Sequence, residues 1–243
     1  MKVVKVDATS STNTFLKEYV KTHFHQQMYC VIANHQVDGR GQRGTAWMSE
    51  PGKNLTFSVY MPGLEFVYKE TFKLSALVAL SIKKVLNAYD IPKVSIKWPN
   101  DILSRRYKLG GILIENMLTQ NKTGASIIGV GLNVNQDEFL GLPKASSMKL
   151  MSGKHFDLDK LLEELLIEFE KIPHLFNTLN LESILSQYYD SLFKFNKVTM
   201  LQFPDGSLVQ GIVKGINNYG RLIVEFEDDR SEDYDVKEIQ IKY

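Results

Sequence analysis

Gly39-Arg40-Gly41-Gln42-Arg43-Gly44-Thr45-Ala46-Trp47 gathers glycines, two arginines and a tryptophan in one short stretch, and what surrounds it decides the fold. Glycines let a backbone come close to a ligand, arginines grip anionic oxygens, and a Trp face stacks on a flat ring. The glycines fall at G-x-G-x-x-G spacing, the dinucleotide fingerprint. That fingerprint needs a strand before it and a helix opening from it, because the helix N-terminus receives the pyrophosphate. Met28 to Ala33 supplies the strand. No helix follows: Ser49, Pro51 and Gly52 break the chain, and Leu55 to Tyr60 reads as another strand. A strand–loop–strand unit excludes a doubly wound nucleotide fold. A Walker A loop is excluded too, since Gly52-Lys53 is followed by Asn54 and Gly44 lies too far upstream. Taken alone, such a loop reads as a mobile basic hairpin without a ligand.

The chain has 243 residues, enough for one large domain or for a medium one with a small companion. Hydrophobic residues make up 44% and charged ones 23%, an ordinary globular balance. A net charge of +1 gives no global field for nucleic acid or an anionic membrane. Cys30 is the one cysteine and sits in an apolar strand, so it reads as a buried small hydrophobe. Met1 to Asp7 alternates like a strand and lacks the apolar core of a signal peptide. No apolar run approaches membrane-spanning length. These features lead us to expect a cytoplasmic protein with no membrane and no nucleic-acid partner.

Periodicity then lays out the elements. Ser10-Ser11-Thr12-Asn13 precedes a short amphipathic helix, Thr14 to Val20, and suits cap chemistry. A long helix is predicted from Lys69 to Tyr89, ending before Asp90-Ile91-Pro92. Strands are predicted at Val94 to Trp98, Gly111 to Met117 and Ala125 to Gly131, and helices at Asp157 to Lys171 and Leu181 to Phe193. The leucines of the 157–171 helix read as core packing.

From about Phe195 the pattern changes to short β runs: 198–203, 208–216, 222–226 and 239–242, with turns at Pro204-Asp205-Gly206 and Asn217 to Gly220. We expect domains at 1–194 and 195–243, the second a small SH3-like β-barrel. Its six Lys/Arg against nine Asp/Glu leave no basic stripe, so nucleic-acid binding by this module is not expected. It would buttress the larger domain or help dock a protein.

The glycine loop now joins three other motifs. They are Ser11-Thr12-Asn13, the pair Lys97-Trp98-Pro99-Asn100-Asp101 and Lys108-Leu109-Gly110-Gly111-Ile112-Leu113-Ile114-Glu115, and Gly129-Val130-Gly131-Leu132-Asn133-Val134-Asn135. In this order and spacing the chain resembles the biotin protein ligases, along its whole length. The resemblance implies an α+β fold, a mixed β-sheet flanked by helices of class II synthetase-like type, with the C-terminal barrel. Some members carry an N-terminal winged helix-turn-helix. Here the first motif begins ten residues from the start, so repression through operator contact is not expected. The related lipoate ligases carry an arginine pair followed by consecutive glycines, which this loop lacks.

What the resemblance implies chemically is an ATP-dependent ligase. It would activate biotin as biotinyl-5'-AMP and transfer it to a lysine of a biotin carboxyl carrier domain. A carboxylate is a poor acyl donor, and adenylation makes it a good one, so the protein mainly positions reactants and cancels charge. Lys108 is implied between carboxylate and α-phosphate, with Arg40 as a second catalytic cation and Arg43 on the phosphate. Ser11, Thr12, Asn13, Gln36, Gly39, Arg40 and the backbone near Gly111 are the implied biotin contacts. Trp47 would stack on adenine, and Asn133 would contact the adenylate. Asp101 would orient the acceptor lysine or ease its deprotonation. Asn100 is expected to shape the turn, and Trp98 to be structural. Mg²⁺ would accompany ATP on phosphates and water, with no metal cage in the protein. An exposed edge strand could support a side-by-side homodimer. Alternatives from the same residues are a lipoyl or other acyl-adenylate ligase and a non-catalytic biotin-binding sensor. One departure stands out: relatives often carry basic residues where this chain has Gln42 and Thr45.

Overall fold

Alternation along the strands sorts side chains to two faces of a sheet, and the two faces are covered unequally. In the computed structural model, which describes residues 1–22, 26–66, 70–119 and 122–242, the first six strands to pair are β1 (Lys2–Thr9), β2 (Tyr29–Gln36), β3 (Leu55–Phe66), β4 (Val94–Lys97), β5 (Asp101–Ser104) and β6 (Tyr107–Thr119). With β7 (Lys122–Leu132) they form one seven-stranded sheet in the order β1-β2-β3-β7-β6-β5-β4. Among the described residues of this sheet, only β1 and β2 pair in parallel; the other ladders are antiparallel. The sheet is therefore mixed, as expected.

One face carries Cys30, Phe57, Val59, Ile128 and Val130, all buried. Against it lie α2 (Thr71–Ala88), α4 (Leu158–Glu170), α5 (Ile172–Thr178) and α6 (Leu181–Tyr189), after the short α3 (Met148–Ser152). Phe57 meets Phe169 of α4 with ring centroids 6.0 Å apart. Burying such side chains supplies most of the fold's favourable free energy, at about 25 cal/mol per Å² of apolar surface. On the opposite face, α1 (Thr12–Thr22) packs Leu16 and Val20 onto Tyr29, Val31 and Ile127. It covers that face only in part.

The C-terminal segment forms a second sheet of five antiparallel strands. They are β8 (Val198–Gln202), β9 (Leu208–Ile216), β10 (Leu222–Glu225), β11 (Ser231–Tyr234) and β12 (Gln240–Ile241), in the order β11-β10-β9-β8-β12. Trp98 joins the two sheets: its indole N–H donates to the Gly220 carbonyl at 2.9 Å. The structural role expected for Trp98 is visible in that bond.

Several boundaries differ from expectation. The first helix starts at Thr12, so Asn13 sits in its first turn. The long helix starts at Thr71, and the expected start at Lys69 lies outside the described residues. The last helix ends at Tyr189 because the chain leaves it to pair with β4, Ile96 N–H donating to the Ser191 carbonyl at 2.8 Å and Phe193 N–H to the Ile96 carbonyl at 2.8 Å. Among the described residues no helix is long and apolar enough to cross a membrane.

Candidate active site

On the thinly covered sheet face the sequence puts glycine. Gly111 of β6 pairs with Gly131 of β7, and Gly129 lies one alternation away. A Cβ on Gly131 would fall 2.3 Å from the Trp47 ring, and one on Gly129 would fall 2.3 Å from Asn13 Oδ1. These two positions are glycine because a side chain and an indole occupy the space a methyl would take. Above this floor opens a cavity of about 550 Å³. Its walls come from the start of α1, the glycine loop, the 97–101 turn and the C-terminal sheet.

One end of the cavity is lined by neutral polar side chains, Ser11, Thr12, Asn13 and Gln36. The Thr12 backbone N–H and hydroxyl both donate to Gln36 Oε1, at 2.8 and 3.1 Å. Ser58 Oγ lies 2.7 Å from Thr12 Oγ1 and 2.6 Å from Asn13 Oδ1. Asn13 Nδ2 donates to Glu115 Oε2 at 2.8 Å and to the Leu113 carbonyl at 3.3 Å. Ser11, Thr12, Asn13 and Ser58 are all buried. The Ser-Thr-Asn cluster thus does more than cap a helix, since its side chains reach across to β2, β3 and β6.

The other end is charged. Lys108 Nζ sits 2.6 Å from Asp101 Oδ1 and 5.8 Å from the centre of the Trp47 ring. Lys97, the register partner of Asp101, is buried at 5% exposure. Burial, with Lys108 and Lys242 nearby, lowers its amine from the usual lysine range to about 8, against the opposing pull of Asp101. Arg40, Lys97, Lys108 and Lys237 line the cavity with Asp101 as the one carboxylate among the described lining residues. That excess of cations suits an anionic ligand. Among the described residues no cluster of His, Cys, Asp or Glu could hold a metal ion.

Lys108 is anchored through its backbone. Its N–H donates to the Lys144 carbonyl at 2.7 Å, and its own carbonyl accepts from Ser146 N–H at 2.9 Å. Asn133 Nδ2 in turn holds the Ser146 carbonyl at 3.0 Å. Asn133 is buried and does not line the cavity, and among the described residues its Oδ1 has no partner. The residue expected to meet the adenylate therefore first braces the segment that fixes Lys108, while keeping one acceptor unused.

The loop between β2 and β3 is a small hairpin. Trp47 N–H donates to the Gly39 carbonyl at 2.8 Å and Gly41 N–H to the Thr45 carbonyl at 2.7 Å. A 3-10 turn, Gln42–Gly44, makes the tip. Thr45 Oγ1 donates to the Gln42 carbonyl at 2.9 Å, a bond that a basic residue in its place would not reproduce in this form. Arg40 remains 60% exposed beside Asp38, 3.8 Å away. The Trp47 indole lies over Gly111 and Gly131, with its N–H buried and, among the described residues, unpartnered.

The expected residues Ser11, Thr12, Asn13, Gln36, Arg40, Trp47, Asp101, Lys108 and Gly111 all line this one cavity. Gly39 does not; it closes the hairpin against Trp47. Arg43 lies in the 3-10 turn, and its side chain falls outside the described ones. Asn100 shapes the turn, as expected, by donating from Nδ2 to the Ile112 carbonyl at 2.7 Å. Sequence reasoning missed Ser58 and gave Lys97 and Glu115 no role of their own. The signal for Ser58 was present: Thr56 and Ser58 fall on the alternation opposite Leu55, Phe57 and Val59, a polar face inside an otherwise apolar strand.

The family described as "Biotin/lipoate A/B protein ligase family" matches residues 6–133. A Bacillus spizizenii protein named "Bifunctional ligase/repressor BirA" is 33% identical over 145 residues, covering 58% of this chain and 44% of its own length. The "Biotin--[acetyl-CoA-carboxylase] ligase" of Mycobacterium tuberculosis is 28% identical over 223 residues, covering 90% of this chain and 82% of its own. The chain spans about half the length of several curated relatives it matches, between 44% and 61%. In fold it is similar to a biotin protein ligase from Aquifex aeolicus in complex with biotin and ATP, with a TM-score of 0.77 at 23% identity over 99% of this chain and 98% of the other.

Proposed function

This chain belongs to the biotin/lipoate A/B protein ligase family, and from that premise we propose that it is an ATP-dependent biotin–protein ligase. It joins biotin to ATP as biotinyl-5'-AMP with release of pyrophosphate, then passes the acyl group to a lysine of a biotin carboxyl carrier domain. The observation that carries this reading is the division of one cavity into a neutral hydrogen-bonding end and a cationic end.

A ureido ring offers two N–H donors and one carbonyl acceptor. Ser58 has one proton for two neighbouring oxygens, Thr12 Oγ1 and Asn13 Oδ1, so one of them keeps a lone pair for a ligand N–H. With Gln36 Oε1 committed to Thr12, the Gln36 amide N–H₂ is left for the ligand carbonyl. Biotin's carboxylate then extends toward Lys108 and Arg40. There it must approach the α-phosphate against like-charge repulsion. Lys108 leaves Asp101 to stand between the two anions and stabilises the charge that builds in the transition state. Trp47 supplies a ring face for adenine, while Asn133 acts from behind the wall through the Ser146 carbonyl on the segment that holds Lys108. Mg²⁺ would accompany the nucleotide and offset its phosphate charge, with no metal cage from this chain's described residues. The C-terminal sheet, which walls one side of the cavity, borders the path by which a carrier domain brings its lysine.

The test is to incubate the protein with ATP, Mg²⁺, a biotin carboxyl carrier domain and either biotin or lipoate, and to weigh the carrier. A mass gain of one biotinyl group with biotin alone supports the reading. Labelling by lipoate instead, or none with either, rejects it.

A further inference from the structure

We propose that Ser58, a residue behind the cavity wall, is a positioning residue that sets ligand specificity: it holds the Thr12 hydroxyl proton, so Thr12 Oγ1 accepts and the site selects a ligand that donates an N–H there. The proposal rests on the ligase reading above, and assigns the ligand N–H to one of the two oxygens beside Ser58.

A hydrogen-bond chain runs to Thr12 from groups that only accept. Asn13 Nδ2 donates to the Glu115 carboxylate at 2.8 Å and to the Leu113 carbonyl at 3.3 Å. Lys17 Nζ stands 3.8 Å from the other Glu115 oxygen. Two acceptors on one side fix the amide: Nδ2 faces them and Oδ1 faces Ser58. Oδ1 carries no proton, so its 2.6 Å contact with Ser58 Oγ is filled by the Ser58 proton. Ser58 then has none left for Thr12, and their 2.7 Å contact is filled by the Thr12 proton. The Thr12 hydroxyl can turn between Gln36 Oε1 at 3.1 Å and Ser58 Oγ. The shorter contact takes it, and Gln36 Oε1 keeps the Thr12 backbone N–H at 2.8 Å.

What remains on Thr12 Oγ1 is a lone pair at the cavity wall. Thr12 lines the cavity, whereas Ser58 is wholly buried behind it. A ligand group that donates gains a bond there. One that only accepts sets oxygen against oxygen in a desolvated place, which is costly. A cyclic urea meets the demand; a dithiolane ring, which has no N–H, does not. Ser58 needs no ligand contact of its own, because it acts through the direction of its neighbour's proton.

The experiment measures dissociation constants by calorimetry, with competition against biotin for weak ligands. The ligands are biotin and its two cyclic carbamate analogues, in each of which one ureido N–H is replaced by a ring oxygen. Wild type, Ser58→Ala and Thr12→Val are compared, with thermal melting of each. Wild type should bind one of the carbamates about 10²-fold more weakly than biotin, the scale of a buried polar group left unpaired. Ser58→Ala frees the Thr12 hydroxyl to turn to that ring oxygen, so this carbamate should bind about tenfold more tightly than it binds wild type, while biotin binds more weakly. A gain for the wrong ligand is an effect that a loosened fold does not produce. Thr12→Val removes the acceptor and should bring biotin and that carbamate within about threefold of each other. Equal weakening of both ligands by Ser58→Ala, or wild-type affinity for both carbamates within about threefold of biotin, would overturn the proposal. Wild type that binds no biotin brings down the ligase reading, and the proposal with it, before any variant is compared.

Discussion

Gly129→Ala tests the polar end of the cavity by a displacement of known size. The new Cβ would stand 2.3 Å from Asn13 Oδ1, where real contacts do not come under 3.0 Å. The amide must therefore retreat by about 0.7 Å, the difference between those two distances. It has little room to do so. Asn13 is held by Ser58 at 2.6 Å and by Glu115 at 2.8 Å, and a retreat of that size takes one of these bonds to the edge of hydrogen-bonding range. A hydrogen bond to a charged group is worth about 1.5–3 kcal/mol, so biotin affinity should fall roughly 10- to 100-fold at 1.4 kcal/mol per decade. Titration calorimetry measures it. The double variant with Asn13→Ala supplies the control: if Gly129→Ala acts through Asn13, the pair should weaken binding no more than Asn13→Ala alone. Biotin affinity within twofold of wild type, or fully additive losses in the cycle, would refute the reasoning.

Three further outcomes are expected. Lys108→Ala should slow adenylate formation by about 10²-fold, the usual scale for one lost charge-stabilising donor, while biotin binding weakens less; rapid-quench pyrophosphate release reads this. Trp98→Phe removes the hydrogen bond to Gly220 that joins the two sheets, and should lower unfolding free energy in urea by about 1 kcal/mol. Gln42→Arg adds a cation to the 3-10 turn and should slow release of free biotinyl-adenylate by about tenfold, as one charge-assisted bond would, when dissociation is followed by intrinsic fluorescence.

Much of the sheet could be read from alternation. β3 shows why: Leu55, Phe57 and Val59 against Thr56 and Ser58 give a clear period of two. β11 could not be read, because Ser231-Glu232-Asp233-Tyr234 offers no apolar alternation and becomes a strand only by pairing with β10. β5 was hidden for another reason. Asp101-Ile102-Leu103-Ser104 is too short for periodicity to speak, and the motif at its start drew attention to chemistry rather than pairing. α3 and α5 are likewise too short to declare themselves against the helices beside them.

The cavity was legible as a set of motifs, since residues far apart in sequence were grouped before any contact was known. What the motifs could not supply is the direction of each side chain. Asn133 points its amide at Ser146 and Gly39 gives its carbonyl to Trp47, so both support the site from outside its wall. Lys97 reads as an ordinary strand lysine until its burial, at a cavity also lined by the C-terminal sheet, is seen. Burial of that kind comes from tertiary packing, and no local pattern encodes it.

The most direct test of the ligase reading needs no carrier domain. Acyl-adenylate formation is reversible, so labelled pyrophosphate should enter ATP only when the right carboxylic acid is present. With Mg²⁺, the wild-type protein should catalyse ATP–pyrophosphate exchange in the presence of biotin and not with lipoate or biotin methyl ester. Exchange driven by lipoate, or none with biotin while biotin still binds, would contradict the account.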